Sequence, residues 1–450
     1  MPRVAFHTLG CKVNQYDTET MIEAFRARGY DIVDFDSEAD VYVINTCTVT
    51  GRGSQKSRQI ARQARRRNAQ AIVAVTGCYS QVAPEEAAAI PGVDVVTGTQ
   101  NRREIVDLVE RAAAERRRYA PDAGPAAADH ATSIVSVGDV MATRAFEEIP
   151  IGEFTGRTRA TVKIQEGCDQ FCSYCIIPYA RGPMRSRDPA RVCDEVARLA
   201  AAGYKEVVLT GIHLGAYGAG LAEKVNLAGL LRRLAPVPDL VRIRLSSIEP
   251  LEVTDDLIAA LVENPKVCHH LHIPLQSGDA AVLKRMNRHY TPEQYQEVVR
   301  RVVAALPDIA VTTDVMVGFP GETEENFLNT YALAGALGFA KMHIFQYSRR
   351  PGTPAAALPD QISNRVKEER ARRLAALDES LTRAFQTRFL GRTLPVLVEE
   401  EAVNGRSDTL AGLTSNYIRV VFRGPEELKN TVQNIRLREA RGDFVLGDLA

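Results

Sequence analysis

Gly167-Cys168-Asp169-Gln170-Phe171-Cys172-Ser173-Tyr174-Cys175 is the stretch on which the reading of this chain turns. Three thiols spaced C-x3-C-x2-C suit a cubane of iron and sulfide. They take three of its four irons and leave the fourth open, where a small molecule can chelate and accept an electron. With 8 cysteines in 450 residues, chance placement yields this triple roughly 0.003 times per chain, so the spacing is informative.

Outward from that loop, strand and helix patterns alternate. Strand-like runs at Ala160–Gln165, Glu206–Thr210, Val241–Ser246, His270–Pro274, Ala310–Val317 and Lys341–Tyr347 are separated by helical stretches. Six such β/α repeats predict an open, partial barrel rather than a closed eight-strand one. Upstream, apolar runs at Arg3–Leu9, Tyr30–Phe35, Val41–Asn45, Ala71–Thr76 and Val93–Thr97 alternate with helical patterns such as Asp17–Arg28 and Gly53–Arg67. That alternation implies an open parallel sheet with helices on both faces. A segment rich in Ala, Pro and Gly, from about Tyr119 to Gly138, reads as a linker. Downstream, a charged helix over Ser363–Arg388 is stopped by Gly391. Alternating patterns at Leu394–Glu399 and Tyr417–Phe422, with a turn at Asn404-Gly405, then predict a small all-β barrel. The expected fold class is α/β multidomain, divided into residues 1–117, a linker 118–153, a barrel domain 154–387 and a terminal β-barrel 388–450.

Cys11, Cys47 and Cys78 each lie just past the C-terminal end of an expected parallel strand, and such ends line one edge of an open sheet where ligand crevices form. Gly10 and Gly77 precede two of them and let backbone approach a bulky group closely. Three thiolates there can again hold a cluster with one open iron. Zinc is the competing metal, although structural zinc usually takes four ligands in paired C-x2-C spacing. Inert buried thiols are the other alternative. Cys193, beside Val192 and Val196 on a helix, and Cys268, at the start of a strand, read as buried small hydrophobes.

The charge balance of 56 basic against 56 acidic residues argues against a polycation without excluding RNA, because charge can be clustered. Arg62, Arg65, Arg66 and Arg67 form one basic cluster and Arg116, Arg117 and Arg118 another, and a solvated helix face accounts for either equally well. No run of about eighteen apolar residues is present to cross a membrane. The opening Met-Pro-Arg-Val-Ala-Phe-His reads as a strand rather than a signal peptide. A cytoplasmic location is expected, and reduced thiols fit it.

Taken together, Leu9-Gly-Cys-Lys-Val-Asn-Gln15, Asn45-Thr-Cys47, Thr76-Gly-Cys78, the Cys168/Cys172/Cys175 loop, Arg181-Gly-Pro-Met-Arg-Ser-Arg187, Leu271-His-Ile-Pro-Leu-Gln-Ser-Gly278, Gly318-Phe-Pro-Gly-Glu-Thr323 and Gly412-Leu-Thr-Ser-Asn-Tyr417 resemble the methylthiotransferases, a radical S-adenosylmethionine (SAM) family. The resemblance covers essentially the whole length. The Gly-Cys-Lys-Val-Asn-Gln start and Leu209-Thr-Gly-Ile-His-Leu-Gly215 look like the MtaB type, which acts on N6-threonylcarbamoyladenosine at position 37 of tRNA.

The resemblance implies two [4Fe-4S] clusters, one on Cys168, Cys172 and Cys175 and one on Cys11, Cys47 and Cys78. It also implies SAM as co-substrate and a methylthio group delivered to carbon 2 of the adenine ring. It makes the terminal barrel a TRAM domain meeting the tRNA anticodon loop. A flavodoxin- or ferredoxin-like reductant and a sulfur donor complete the expected partners. Other methylthiotransferase substrates, isopentenyladenosine in tRNA or a ribosomal-protein aspartate, are the alternatives within the superfamily. A non-catalytic iron–sulfur electron carrier with an RNA-binding tail is the alternative outside it.

Gly211, Ser247, Glu249, Gln276 and Gly318 fall at or near barrel-strand ends and are candidates to meet SAM, with a turn or packing role the alternative for each. His272 reads as a satisfied core histidine, a catalytic one being the alternative. Arg185 and Arg187 are candidates to grip a phosphate or the threonyl carboxylate, a structural salt bridge being the alternative. Tyr417, Arg419 and Arg423 offer a stacking ring and two guanidinium groups for a single-stranded loop, unless Tyr417 packs in the barrel core.

Overall fold

The computed structural model describes residues 1–48, 51–100, 102–119, 133–149, 151, 158–402 and 409–450. The chain forms two compact units. One comprises Met1–Gly152 with Glu166–Arg185 and Ser348–Thr353; the other comprises Glu153–Gln165, Ser186–Tyr347 and Pro354–Ala450.

The first unit is built on a sheet of six parallel strands: β1 (Arg3–Thr8), β2 (Asp31–Val33), β3 (Val41–Thr46), β4 (Ile72–Gly77), β5 (Val95–Thr97) and β6 (Ile134–Ser136). Their order is β2-β1-β3-β4-β5-β6. β3 and β4 are buried at every position, as expected of parallel strands covered on both faces. Tyr42, Ile44, Val73 and Val75 pack with Ile60, Ala61 and Ala64 of helix Gly51–Arg67. Val41, Val43, Ile72 and Ala74 pack with Met21 and Phe25 of helix Lys12–Ala27 and with Val106 and Val109 of helix Ile105–Tyr119. The open parallel sheet is as the alternation of patterns predicts, with one correction. β6 falls inside the stretch read as linker, where it pairs parallel with β5. Three residues are too few to show an alternation of their own, and the neighbouring strand supplies the order. Residues 120–132 of that stretch lie outside the described residues.

The second unit carries β7 (Arg159–Glu166), a two-residue edge strand β8 (Arg185–Ser186), β9 (Glu206–Gly211), β10 (Arg242–Leu245), β11 (His270–His272), β12 (Ala310–Val317) and β13 (Lys341–Gln346). Two sheets, β10-β9-β7-β8 and β11-β12-β13, are joined by parallel bridges Ile243↔Val267 and Ser247↔His272. The six expected β/α strands thus follow one another in chain order. Helix Asn364–Thr387 then leads into a closed barrel, β14-β15-β16-β18-β17, formed by β14 (Thr393–Ala402), β15 (Thr409–Thr414), β16 (Arg419–Arg423), β17 (Val432–Ala440) and β18 (Val445–Leu449). Phe385 from the helix and Phe389 just beyond its end join Val396, Leu410, Val420, Ile435 and Val445 in its core. Arg242 donates to the carbonyls of Leu413 (2.8 Å) and Pro395 (2.6 Å), and Arg244 to those of Thr414 and Ser415 (both 3.2 Å), fastening the small barrel to β10.

Among the described residues no helix is long and apolar enough to cross a membrane.

Candidate metal centre

The sheet order decides where the three N-terminal cysteines go. β1, β3 and β4 are neighbours, and Cys11, Cys47 and Cys78 follow their C-terminal ends, at the point where the order reverses and such sheets bind ligands. Cys11 is exposed at the N-cap position of helix Lys12–Ala27, where its side chain makes no capping bond; Cys47 is half-buried and Cys78 buried. Gly10 has φ +102°, and a Cβ there would stand 3.0 Å from Cys47 Sγ. Glycine at this position therefore lets the Cys11 turn close against Cys47. Burial pushes the Cys78 thiol up to about 11, against the pull of the Arg181 guanidinium.

Asn14 joins the three strand ends. Its Nδ2 donates to the carbonyls of Leu9 (2.7 Å) and Thr46 (2.9 Å), and its Oδ1 lies 3.8 Å from Cys78 Sγ. Thr46 Oγ1 donates to the Thr76 carbonyl at 2.5 Å, so β3 and β4 are clasped just before their cysteines.

The Cys168/Cys172/Cys175 loop belongs to the same compact unit. Gly167 (φ +79°) and Gly182 (φ +72°) bracket it, and a Cβ on either would overlap the carbonyl oxygen of Pro183 or Val140 respectively. The Cys168 amide donates to the Gly182 carbonyl at 3.0 Å and closes the loop, while the Cys175 amide donates to the Cys172 carbonyl at 2.9 Å.

Two arginines connect the triads. Arg181, fully buried, places Nε 3.2 Å from Cys78 Sγ and Nη1 2.7 Å from Asp17 and 2.5 Å from Glu166, with Asn14 Oδ1 accepting from Nη2. Arg102 completes that buried network with Asp17 and Glu166, each at 3.1 Å, and with Glu147. Arg350 donates to Thr48 Oγ1, beside Cys47. Burial pushes its guanidinium down, while Cys47, Cys78 and Cys175, thiols of both triads, pull it back up.

Six soft thiol donors in two sets, with glycine-relieved backbone and the Arg181 N–H at the Cys78 sulfur, fit two iron–sulfur cubanes. Among the described residues no three His, Cys, Asp or Glu side chains converge on a point suited to one bare metal ion.

Gly211, Ser247, Glu249, Gln276 and Gly318 all lie at or beyond the C-terminal ends of neighbouring strands β9 to β12. Their surroundings differ. Glu249 is ion-paired with Arg288, and Ser247 is exposed. Gln276 takes a left-handed φ of +58° between β11 and β12. A Cβ on Gly211 would stand 2.7 Å from Gln165 Cβ, and one on Gly318 (φ +72°) would overlap Lys367 Cγ, so close packing by itself requires both glycines. His272 Nδ1 is 3.0 Å from Thr312 Oγ1, and Nε2 3.2 Å from Asp314.

The RNA candidates divide, and three need correction. Arg185 is buried, with Nη1 donating to the carbonyls of Arg181 (3.1 Å) and Pro183 (2.8 Å). Arg187 is buried against Glu195 at 2.7 Å. Both side chains are buried and donate to internal acceptors, so neither guanidinium stands at the surface to meet a phosphate. Tyr417 is half-buried and stacks on His270 (centroids 4.3 Å, 15° between planes) with the Arg244 guanidinium 5.2 Å from its ring, so its ring is engaged in packing within the protein. Arg419 and Arg423 are exposed on β16. Of the basic helix clusters, Arg65 and Arg116 are bound to Asp94. Cys268 is buried, its thiol pushed up to about 12 by that burial, whereas Cys193 is half-buried.

Sequence reading missed Asn14, Arg102, Arg181 and Arg350 as part of the centre. Asn14 and Arg181 lie inside runs that carried the family resemblance, whereas Arg350 follows the last barrel strand in Arg349-Arg350-Pro-Gly352, where only its position hints at a role.

Two family models match this chain: the uncharacterized protein family UPF0004 over residues 3–98, and the radical SAM superfamily over residues 162–334. The chain is 45% identical to the threonylcarbamoyladenosine tRNA methylthiotransferase MtaB of Bacillus subtilis, over 99% of this chain and 97% of that protein. It is 40% identical to the MtaB of Aquifex aeolicus, over 96% and 99%. A tRNA-2-methylthio-N(6)-dimethylallyladenosine synthase of Clostridium perfringens is 33% identical, over 98% and 96%. Among solved structures, the radical SAM methyltransferase TsrM of Kitasatospora setae superposes with a TM-score of 0.55 at 19% identity, covering 79% of this chain and 75% of that one, a likeness of fold.

Proposed function

The chain belongs to the radical SAM methylthiotransferase family, and on that basis we propose that it transfers a methylthio group to carbon 2 of N6-threonylcarbamoyladenosine at position 37 of tRNA. The observation that carries this reading is end-to-end identity of 45% to an MtaB, against 33% to a dimethylallyladenosine enzyme over nearly the same span. The target is an unactivated aromatic C–H bond, which ordinary acid–base groups do not open, so the cofactors carry the hard step. When bound, two [4Fe-4S] clusters and SAM supply the one-electron cleavage of SAM and the sulfur that is methylated.

The protein's part is to hold and orient. Cys168, Cys172 and Cys175 would hold one cluster on a loop pinned by Gly167 and Gly182. Cys11, Cys47 and Cys78 would hold the other on strand ends tied by Asn14. Arg181 would give the Cys78 sulfur a buried N–H donor, and Arg350 would brace Thr48 beside Cys47. Gly211, Ser247, Glu249, Gln276 and Gly318 would bound the SAM site at the mouth of the barrel strands. Residues 388–450 would serve as the TRAM domain, with Arg419 and Arg423 meeting the anticodon-loop backbone. A low-potential electron-carrier protein and a sulfur donor complete the scheme, in the cytoplasm.

The test is nucleoside mass spectrometry of bulk tRNA from the host with and without the gene. Loss of the 2-methylthio derivative of threonylcarbamoyladenosine, with its unthiolated precursor accumulating, is expected. An unchanged profile would reject the substrate.

A further inference from the structure

Arg181 sits six residues beyond Cys175, at the end of the short helix Ile177–Arg181 that follows the second triad, yet its Nε donates to Cys78 of the first triad at 3.2 Å. One buried side chain thus links the two cysteine sets across 103 positions of sequence. Through Nη1 it also holds Glu166, which immediately precedes Gly167 and Cys168. A buried guanidinium is costly unless its N–H groups are matched, and here they are matched by Asp17, Glu166, Asn14 and a thiol. Asp17 and Glu166 neutralise it on the side away from the sulfur, so what reaches Cys78 is chiefly one charge-assisted N–H bond.

Building on the two-cluster reading, we propose that Arg181 is a positioning residue that raises the reduction potential of the cluster held by Cys11, Cys47 and Cys78. Reduction adds one electron and one negative charge to a cubane already bearing thiolates. An N–H dipole aimed at a ligand sulfur stabilises the reduced state more than the oxidised one. Hydrogen bonds to sulfur and local charge are the levers by which proteins set such potentials. The electron comes from a low-potential one-electron donor, and no bond is made or broken. The consequence is that the N-terminal cluster accepts an electron more readily than its thiolates alone would allow. Because the residue responsible lies on the loop of the other triad, any displacement of that loop is felt at Cys78.

The test is an EPR-monitored redox titration of the full chain, reconstituted anaerobically and reduced with dithionite, for wild type, Arg181→Gln, Arg181→Lys and Asp17→Asn. The signal of the N-terminal cluster is identified as the one that Cys78→Ala removes. Arg181→Gln and Arg181→Lys should weaken the one-electron equilibrium of that cluster at least tenfold, a fall of about 59 mV. Asp17→Asn, which removes an anion behind the guanidinium, should move it the opposite way. A merely structural role would leave the potential unshifted in Arg181→Gln and Arg181→Lys proteins that keep their iron. Arg181→Lys keeps the charge in place, so it and Asp17→Asn decide the matter where Arg181→Gln fails to fold. Unshifted potentials with about eight irons per chain would overturn the role of Arg181 while leaving the two clusters standing. A Cys78→Ala protein that keeps all its iron and both signals would overturn the cluster assignment as well.

Discussion

Asn14 Oδ1 lies 3.8 Å from Cys78 Sγ, although 64 positions separate the two residues in the chain. The same side chain donates to the carbonyls of Leu9 and Thr46, which precede Cys11 and Cys47. A single buried amide therefore touches the approach to each N-terminal cysteine. A helix that starts at Lys12 and neighbouring β1, β3 and β4 make this possible, because the first turn of the helix hangs over the strand ends.

Asn14→Ala should loosen all three approaches together. Two carbonyls lose a donor, at a cost of about 1–3 kcal/mol for each buried group left unsatisfied. Iron in the reconstituted protein should drop from about eight towards about four per chain, since Asn14 braces the strand ends that carry the N-terminal triad. Iron assay beside thermal melting checks it. Iron retained at the wild-type level would show that Asn14 is dispensable for the cluster site.

The two triads should separate kinetically. Cys168→Ala should abolish reductive cleavage of SAM, read as 5′-deoxyadenosine by chromatography. Cys47→Ala should leave that cleavage in place and stop formation of the thiolated nucleoside. Full thiolation by Cys47→Ala would refute the role given to the N-terminal set.

Much of this is legible in the sequence. The C-x3-C-x2-C spacing and the strand-end placement of Cys11, Cys47 and Cys78 are local signals, and the period of six β/α strands survives in apolar runs. The strand order that makes β1, β3 and β4 neighbours is tertiary, yet the parallel rule anticipates the shared edge. What escaped were residues whose partners lie far away in sequence. Arg181 and Arg185 look alike in Arg181-Gly-Pro-Met-Arg185, but one faces a thiol and the other two backbone carbonyls. Arg187 and Tyr417 have surface-like chemistry, and only packing against Glu195 and His270 turns them inward.

The exposed pair on β16 should behave differently from Tyr417. Arg419→Ala and Arg423→Ala should leave melting unchanged, weaken tRNA binding, and each lower the salt slope of that binding by about 1. Tyr417→Ala should lower the melting temperature by undoing the stack on His270. Binding titrations at several salt concentrations separate the cases, and slopes equal to wild type would remove the two arginines from the RNA surface.

Gly318→Ala tests packing against ligand contact at one proposed SAM position. With φ +72° and Lys367 Cγ where a Cβ would go, the substitution should destabilise the SAM-free protein by about 1–3 kcal/mol. A melt indistinguishable from wild type, with SAM affinity reduced, would assign the glycine to the ligand alone.

Glu206 should govern the acid limb of the second unit's stability. Its carboxylate is fully buried, 2.7 Å from Arg244 Nε. Burial pushes the group up, but Arg244 and Arg159 outweigh it and hold the carboxyl below the ordinary range. A carboxyl depressed in the folded state binds its proton later than in the unfolded chain. Its contribution is therefore present in full above the ordinary value of about 4.3 and is lost as pH falls through the depressed folded value. Glu206→Gln leaves the Arg244 guanidinium buried without its carboxylate, which should cost about 3–5 kcal/mol near neutral pH. The same variant should lose less stability than wild type on acidification below about pH 4, because the group that titrates is gone. Urea unfolding across that range reads both effects, and parallel pH profiles for the two proteins would show that this pair does not set the acid limit.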